Sequence, residues 1–257
     1  MISFIHAGGP QMASYRYRVQ IPAKSLDAEI NQYPADILIF AKPMPNEIEL
    51  ARRAQADGSK IVADFCDDHF GQPHYQEMLR IADLVTCATP TLAERIARPA
   101  YVVPDTYELE ELEPHCGGAR LLWFGHKLNS YSIAPFLDLP DLAIVSNTQG
   151  AIPWSVTAVE CELREADIVL MPATAAYKSP NRTLEAIRMG CFVVAEPHPA
   201  INDFPIWIGD IKEGIEWAKQ NPSKANEMTK VAQAFVQKFY SPAIQAAAWR
   251  TALATLN

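Results

Sequence analysis

Short apolar segments alternate with helical segments along most of this chain, and that alternation limits the fold more than any other feature. In the first half, residues 2–7, 36–41 and 60–65 are nearly continuous apolar runs. Runs of this length without polar alternation are typical of strands that are buried on both faces. Strands separated by helices predict a parallel sheet with helices covering both sides, which is an α/β fold.

The alternation stops at residues 105–118 and then begins again. Five acidic residues precede Pro114 and the pair Gly117-Gly118, which is typical of a linker. The alternative is an acidic surface loop within one sheet. Further strands are predicted at 120–124, 168–171 and 192–195. The acidic residues of this segment are Asp105, Glu108, Glu110, Glu111 and Glu113.

The restart predicts two Rossmann-like domains, at residues 1–117 and 118–240, followed by a last helix at 241–257. Sheets of this kind bind ligands at the carboxyl ends of their strands. If the two halves face each other, one cleft between them is the expected site.

Composition and charge narrow the functional classes. The formal net charge is -8, and residues 1–117 carry -7 of it. An acidic first half repels phosphate backbones and anionic lipids, so neither nucleic acid nor a stable membrane anchor is expected. The longest apolar runs, such as 168–173, are too short to span a bilayer.

The chain also has features that favour the cytoplasm. Its N-terminus has no basic segment before the first apolar run, so it is interpreted as a buried strand and not as a signal peptide. The five cysteines form no C-x-x-C pair and mostly lie in apolar segments. They are interpreted as small buried side chains in a reducing compartment.

Residues 166–197 carry the most specific pattern in the chain. After the strand at 168–171, Ser179 is suited to cap a helix and Pro180 to occupy its first position. The helix is predicted over 181–189, and Gly190 is placed to end it in a left-handed turn.

The start of that helix is suited to an anion. Its unpaired backbone N–H groups present a partial positive charge, to which Lys178 and Arg182 add two full charges. A diphosphate is a natural ligand for such a place. Glu185, about one turn further along, is placed to accept hydrogen bonds from ribose hydroxyls. The alternative is an ordinary surface helix, which does not explain why these three side chains cluster.

This segment resembles the donor-binding region of the group 1 glycosyltransferases, a family 4-like group with the fold called GT-B. The resemblance rests on residues 178–182, on Glu185-Ala186 and on 190–194. It implies two Rossmann-like domains facing across a cleft, with the C-terminal helices crossing back to the first domain. Residues 1–117 would form the acceptor side and 118–240 the donor side.

The resemblance also implies roles for single residues. Glu185 would hold the nucleotide ribose, Lys178 the donor diphosphate, and Arg182, with Asn181 beside it, a further donor contact. A glycine followed by a basic residue after the first strand of the second half would complete the phosphate site. In this chain those positions are Gly125, His126 and Lys127.

Two features depart from the family's pattern. Many members have two glutamates eight residues apart, and the first contacts the donor sugar; here Tyr177 stands eight residues before Glu185. The chain is also shorter than typical members, so trimmed acceptor loops are expected.

Other candidates lie near the strand ends of the first half. Gly8-Gly9 permits close approach of a backbone to a ligand, or forms a simple turn. Arg16 and Arg18 are suited to clamp a phosphate or an acceptor, or are solvated arginines.

Catalytic candidates are also placed there. Asp67 and Asp68 follow a strand and are candidates to bind acceptor hydroxyls or act as a base, whereas the alternative is a polar loop with a helix cap. His6 ends the first strand and is a third candidate, although a lone histidine there is more often structural. No zinc spacing and no D-x-D triplet are present, so no metal site is predicted.

We therefore expect transfer of a sugar from a nucleotide diphosphate sugar, used as co-substrate without any cofactor, to a carbohydrate or other hydroxyl acceptor. The resemblance implies retention at the anomeric carbon. Two alternatives stay open: a nucleotide-sugar epimerase, or a non-catalytic nucleotide-sugar binding protein or degenerate partner subunit. The sequence leaves the sugar, base, acceptor and oligomeric state open.

Overall fold

A computed structural model describes residues 1–256, and it divides into two compact units. Unit 1 comprises Met1–Thr106, Tyr177–Ser179 and the chain from Tyr240 onward, and unit 2 comprises Tyr107–Ala176 and Pro180–Phe239. This division falls earlier in the chain than the boundary predicted at 117/118.

Unit 1 is built on a parallel sheet of six strands in the order β2-β1-β3-β4-β5-β6. Its strands are β1 (Ile2–Ile5), β2 (Glu29–Ile30), β3 (Ile37–Ala41), β4 (Lys60–Phe65), β5 (Leu84–Cys87) and β6 (Tyr101–Val102). Its first helices are α1 (Ala13–Tyr15), a π-helical turn (Arg16–Gln20), α2 (Ile21–Leu26), a 3-10 turn (Pro45–Glu47), α3 (Ile48–Ala56), α4 (Pro73–Ile81) and α5 (Pro90–Ala93).

Unit 2 repeats the plan with a second parallel sheet of six strands, in the order β12-β11-β10-β7-β8-β9. The strands are β7 (Leu121–Phe124), β8 (Leu142–Ser146), β9 (Ile152–Pro153), β10 (Ile168–Met171), β11 (Phe192–Ala195) and β12 (Trp207–Ile208). The helices are α6 (Val156–Glu165), α7 (Asn181–Arg188), α8 (Ile211–Gln220) and α9 (Pro222–Tyr240), with 3-10 turns at Lys127–Ser132 and Ala134–Phe136.

The continuous apolar strands of unit 1 divide their side chains between two cores. Leu38 and Phe40 of β3 face the core that contains α3 and α4, whereas Ile39 and Ala41 face the other side. Alternate residues of a strand point to opposite faces, so a strand covered on both sides needs apolar residues at every position. The predicted α/β architecture is confirmed in both units.

The second core of unit 1 is completed by the end of the chain. Helix α10 (Pro242–Leu253) packs against α2 and contacts β5. Its Trp249 is fully buried and meets Phe4 edge to face, with ring centroids 5.4 Å apart. The predicted return of the C-terminal helix to the first domain is therefore confirmed.

One buried arginine connects the elements of unit 1. Arg18 is 1% exposed and donates from Nε and Nη2 to the two carboxylate oxygens of Asp64, at 2.9 and 2.5 Å. Its Nη1 donates to the carbonyl of Val103 at 2.5 Å and to Asp105 at 3.1 Å. Burial alone would lower the pKa of Arg18, but Asp64 and Asp105 raise it above the ordinary value. The side chain was predicted to reach a phosphate or acceptor, and here its donors are directed into the protein interior.

We expect Arg18→Met to lower the free energy of unfolding by about 3–5 kcal/mol, because it leaves two buried carboxylates without their cation. Arg80→Met is the matched control, since Arg80 pairs with Glu77 on the surface and exposed pairs contribute about 0–1 kcal/mol. Urea denaturation measures both variants. Equal losses in the two variants would contradict the structural role of Arg18.

Candidate functional site

The carboxyl edge of the unit 2 sheet brings together two predicted donor-site residues. Arg182, in the first turn of α7, donates from Nη1 to the carbonyl of Phe124, the last residue of β7, at 2.9 Å. A Cβ added to Gly125 would lie 3.1 Å from that nitrogen. Glycine at 125 therefore gives the guanidinium the room it needs beside the strand end.

Arg182 differs from Arg18 in having no carboxylate partner among the described residues. Its guanidinium lies over the ring of Trp123, 5.8 Å from the centroid. Burial lowers the pKa of Arg182 to about 10, and Tyr131 acts weakly in the opposite direction. The cation stays charged at neutral pH but lacks compensation, so a bound anion would stabilise it.

The start of α7 is arranged differently from the prediction. Pro180 occupies the N-cap position, and no side chain caps the helix there. The predicted cap by Ser179 is wrong, because the Ser179 hydroxyl donates to Asp105 at 2.5 Å within unit 1. An uncapped helix start retains backbone N–H groups that suit an anion.

The end of α7 follows the prediction. Gly190 has a φ of +79°, the left-handed conformation expected just after a helix. A Cβ at this position would lie 2.4 Å from the carbonyl oxygen of Glu113, so a side chain is excluded by backbone.

Two more predicted donor residues, Lys127 and Asn181, lie close in sequence to Gly125 and Arg182. Lys127 is exposed and begins the 3-10 turn that follows Gly125, and Asn181 is partly buried at the start of α7. The His126 ring accepts from the backbone N–H of Leu128 at 3.2 Å, which caps this turn.

Glu185 is engaged by the protein. It is 3% exposed, and its two carboxylate oxygens accept from the backbone N–H groups of Glu108 and Leu109, at 2.7 and 3.1 Å. The acidic segment continues along α7, where the N–H of Leu112 donates to the carbonyl of Arg188 at 2.9 Å. In this structure Glu185 anchors that segment, and its role toward a ribose stays a prediction.

Lys178, predicted to hold the donor diphosphate, lies in unit 1 with the two predicted aspartates, and its role toward a diphosphate stays a prediction. Lys178 is ion-paired with Asp67, which Lys42 also contacts at 2.7 Å. Burial alone would raise the pKa of Asp67, but the two lysines lower it below the ordinary value. A carboxylate with a low pKa is a weak base near neutral pH. Asp68 is ion-paired with Arg95.

His6 and the glycine pair form a turn after β1. The N–H of Gly8 donates to Nδ1 of His6 at 2.7 Å, and Nε2 lies 3.2 Å from the hydroxyl of Ser14. Burial, and then Lys42, lower the pKa of His6, so the ring is neutral at pH 7. A Cβ at Gly8 would meet Met12 and His6, whereas Gly9 has nothing within 4 Å.

Arg16 is mostly buried, 8% exposed, and donates from Nη1 to the carbonyl of Pro10 at 2.8 Å. It therefore holds the loop that follows β1. Arg16 therefore lies against the loop that contains Gly8 and Gly9. Arg18, by contrast, points into the core.

Sequence reasoning missed two residues at the carboxyl edge of the unit 1 sheet. Lys42 follows β3 with a φ of +52°, which side chains seldom adopt. Glu47 is 5% exposed; its Oε2 accepts from the N–H of Met44 at 2.8 Å, and its Oε1 has no hydrogen-bond partner among the described residues. No local sequence signal marks either residue, since both depend on how loops from different strands meet.

Across residues 1–256, no group of three His, Cys, Asp or Glu side chains is arranged to hold a metal ion. Within the same residues, no helix is both long and apolar enough to cross a membrane.

Solved structures share this fold at low sequence identity. The Anabaena protein HepE, in complex with UDP and glucose, matches with a TM-score of 0.74 and 12% identity over 98% of this chain and 99% of its own. An alpha-glucosyltransferase in complex with UDP and a 13-mer DNA matches with a TM-score of 0.60 and 10% identity, over 94% and 96% of the two chains.

An alpha1,3-fucosyltransferase matches with a TM-score of 0.54 and 10% identity, over 98% of this chain and 89% of its own. The chain therefore has the two-domain α/β fold of the GT-B glycosyltransferases, as the resemblance implied. No protein-family model matches the chain, and no curated protein matches it in sequence.

We expect Arg182→Met to leave the free energy of unfolding of the ligand-free protein within about 1 kcal/mol of the parent. The lost hydrogen bond to Phe124 is offset by removal of a desolvated charge. Chemical denaturation of Arg182→Met beside Arg18→Met checks this. A loss as large as that of Arg18→Met would mean that Arg182 serves the fold.

The buried carboxyl of Glu47 is expected to make the free energy of unfolding depend on pH. Burial raises its pKa from the ordinary 4.5 to about 7, while the backbones of Met44 and Ala7 act in the opposite direction. The pKa of Glu47 is higher in the folded than in the unfolded state. The stability that protonated Glu47 contributes is therefore complete below about pH 4.5 and is lost as the pH rises to about 7. We expect Glu47→Gln to stabilise the protein at pH 8 by roughly 2–3 kcal/mol and to change little at pH 4.5.

Thermal unfolding at the two pH values measures the effect, with Glu49→Gln as control because Glu49 is exposed on the next helix. If Glu47→Gln changed the stability equally at both pH values, Glu47 would ionise normally in the folded state.

Proposed function

We propose that this protein is a glycosyltransferase that moves a sugar from a nucleotide diphosphate sugar to an acceptor hydroxyl. The observation that carries the proposal is Arg182, a partly buried guanidinium without a carboxylate partner among the described residues. It lies beside Gly125 at the carboxyl edge of the unit 2 sheet. That edge is where α/β sheets bind ligands.

In this proposal the donor diphosphate accepts hydrogen bonds from Arg182 and from the uncapped N–H groups of α7, with Asn181 and Lys127 as further contacts. Arginine binds phosphate oxygens in a forked geometry, and a helix start adds partial positive charge. The fold is shared with HepE, which has been solved with UDP-glucose, so UDP-glucose is the first donor to test.

The reaction needs stabilisation of a leaving group. The bond between the anomeric carbon and the diphosphate oxygen breaks and its electron pair stays on the phosphate, while the acceptor oxygen bonds to that carbon and its proton passes to the departing diphosphate. Donors fixed around the diphosphate stabilise this developing charge. We propose that Arg182 and α7 supply this stabilisation without a metal, and that the anomeric configuration is retained, which rests on the resemblance described above.

The proposal assigns the acceptor to unit 1 and a carbohydrate-biosynthetic role in the cytoplasm to the protein. Its rival is a nucleotide-sugar binding protein without activity, and Tyr177 in place of the family's first glutamate favours that rival. Turnover separates the two: release of UDP from UDP-glucose that depends on an added acceptor supports the enzyme, whereas binding without release supports the rival.

The first test is calorimetric titration of UDP, GDP, ADP and their sugars into the parent and into Arg182→Met. We expect one nucleotide diphosphate to bind and its affinity to fall about tenfold or more in the variant, because a charge-assisted contact is lost. Arg164→Met is the control, since Arg164 pairs with Glu160 on the surface of the same unit. Equal affinities in the parent and Arg182→Met would exclude this phosphate site.

A second titration isolates Glu185. If it binds the ribose, Glu185→Gln weakens UDP binding and leaves inorganic pyrophosphate binding unchanged. If it only anchors the segment at Glu108 and Leu109, both ligands are affected alike.

A further inference from the structure

Two lysines that the proposed donor site does not use meet at the carboxyl edge of the unit 1 sheet. Lys42 follows β3, and Asp67 lies just after the adjacent strand β4. Lys178 reaches the same carboxylate from the segment Tyr177–Ser179, which belongs to unit 1. We call Lys42 and Lys178 the amine pair.

The amine pair shares a single carboxylate. Lys42 Nζ lies 2.7 Å from Oδ2 of Asp67, and Lys178 is paired with Oδ1. The side chains of Lys42 and Lys178 are 24% and 35% exposed, whereas that of Asp67 is 10% exposed. The Asp67 carboxylate therefore lies beneath the two ammonium groups, which face solvent. Two positive charges and one negative charge leave a net charge of +1 at this surface.

Neighbouring groups do not cancel that charge. Asp64 and Asp105 are paired with Arg18, and Asp68 is paired with Arg95. Burial, and then Asp67, raise the pKa of the Cys66 thiol, so it is neutral. Burial lowers the pKa of His6 and of His69, and Lys42 lowers both further, so these rings are also neutral near pH 7.

Hydrogen bonds fix the chain at or next to each lysine. Lys42 has the left-handed φ of +52°, and its N–H donates to the carbonyl of Asp64 at 2.8 Å. A non-glycine residue in this conformation is costly, and such residues cluster at functional sites. Lys178 is flanked by Tyr177, whose carbonyl accepts from Thr89 at 3.1 Å, and by Ser179, whose hydroxyl donates to Asp105. Binding therefore needs little ordering of the backbone at either lysine.

From this arrangement we propose that the amine pair binds an anionic substituent of the acceptor, a carboxylate or a phosphate. The acceptor is then a sugar acid or a phosphorylated alcohol and not a neutral sugar. Asp67 positions the two lysines, and the anion shares their outward-facing N–H groups. The identification of this ligand as the acceptor rests on the proposed function. The preference for an anion is measured without turnover.

The test uses three probes of one sugar framework: glucose, glucuronate and glucose 6-phosphate. Their binding to the full chain is measured by NMR shifts of the lysine side chains, with and without UDP. We expect at least one anionic probe to bind about tenfold or more tightly than glucose. The better of the two shows whether the carboxylate or the phosphate is preferred.

Variants connect that preference to the amine pair. We expect Lys42→Gln, and independently Lys178→Gln, to remove the preference for the anionic probe, and we expect Lys42→Gln to leave UDP affinity within about twofold of the parent. Lys60→Gln is the control, because Lys60 is an exposed lysine at the opposite end of β4. The preference should persist in that variant.

Three results would overturn the proposal. Equal binding of the three probes, or no binding, would show that the pair has no anion preference. If both glutamine variants kept the preference for the anionic probe, the anion would bind at a site other than the amine pair. Loss of UDP affinity in Lys178→Gln alone would assign that lysine to the donor diphosphate. Failure of the proposed function is separate, since it would appear as absence of nucleotide binding in the parent protein.

Discussion

The ion pair between Arg18 and Asp64 is the interaction on which the first unit depends. Asp64 is fully buried at the end of β4 and also accepts from the Thr86 hydroxyl of β5, at 2.7 Å. Arg18 brings in Val103 and Asp105, and its guanidinium lies over the ring of Trp249. The central strands, the chain leaving the sheet and the last helix therefore meet at one cation. Two charges buried together are stable only while every partner remains.

The two units place an arginine in opposite surroundings, fully buried at Arg18 and partly buried at Arg182. Arg18 is surrounded by carboxylates that hold it charged, and its donors are used within the fold. Arg182 has a backbone carbonyl and an aromatic face instead, and its pKa is lowered by the loss of water. A protein tolerates an incompletely compensated charge where a ligand supplies the remainder. The same residue type thus holds the fold together in the first sheet and, in the proposed function, binds the donor at the second.

Much of the fold was predictable because it depends on local pattern. β3 and β10 are apolar without interruption, which is typical of a sheet covered on both faces. Gly190 marked the end of α7 because glycine, which has no Cβ, readily adopts the left-handed conformation that follows many helices.

What could not be predicted depends on contacts distant in sequence. Ser179 had the composition of a cap, but Asp105 competes for its hydroxyl. Glu185 had the position of a ribose ligand, but the segment taken as a linker supplies two N–H groups to it. Lys42 gave no signal, since its partner Asp67 follows a different strand.

The closing of unit 1 by α10 has a consequence for how the chain is made. The face of the first sheet that contains Phe4 and Ile39 is completed by Trp249, Ala252 and Leu253. Because α10 follows the second unit in the chain, the part of this apolar face that α10 covers stays open during synthesis until the second unit already has all its strands and α9. The first unit therefore completes its core only after the strands of the second unit have been made.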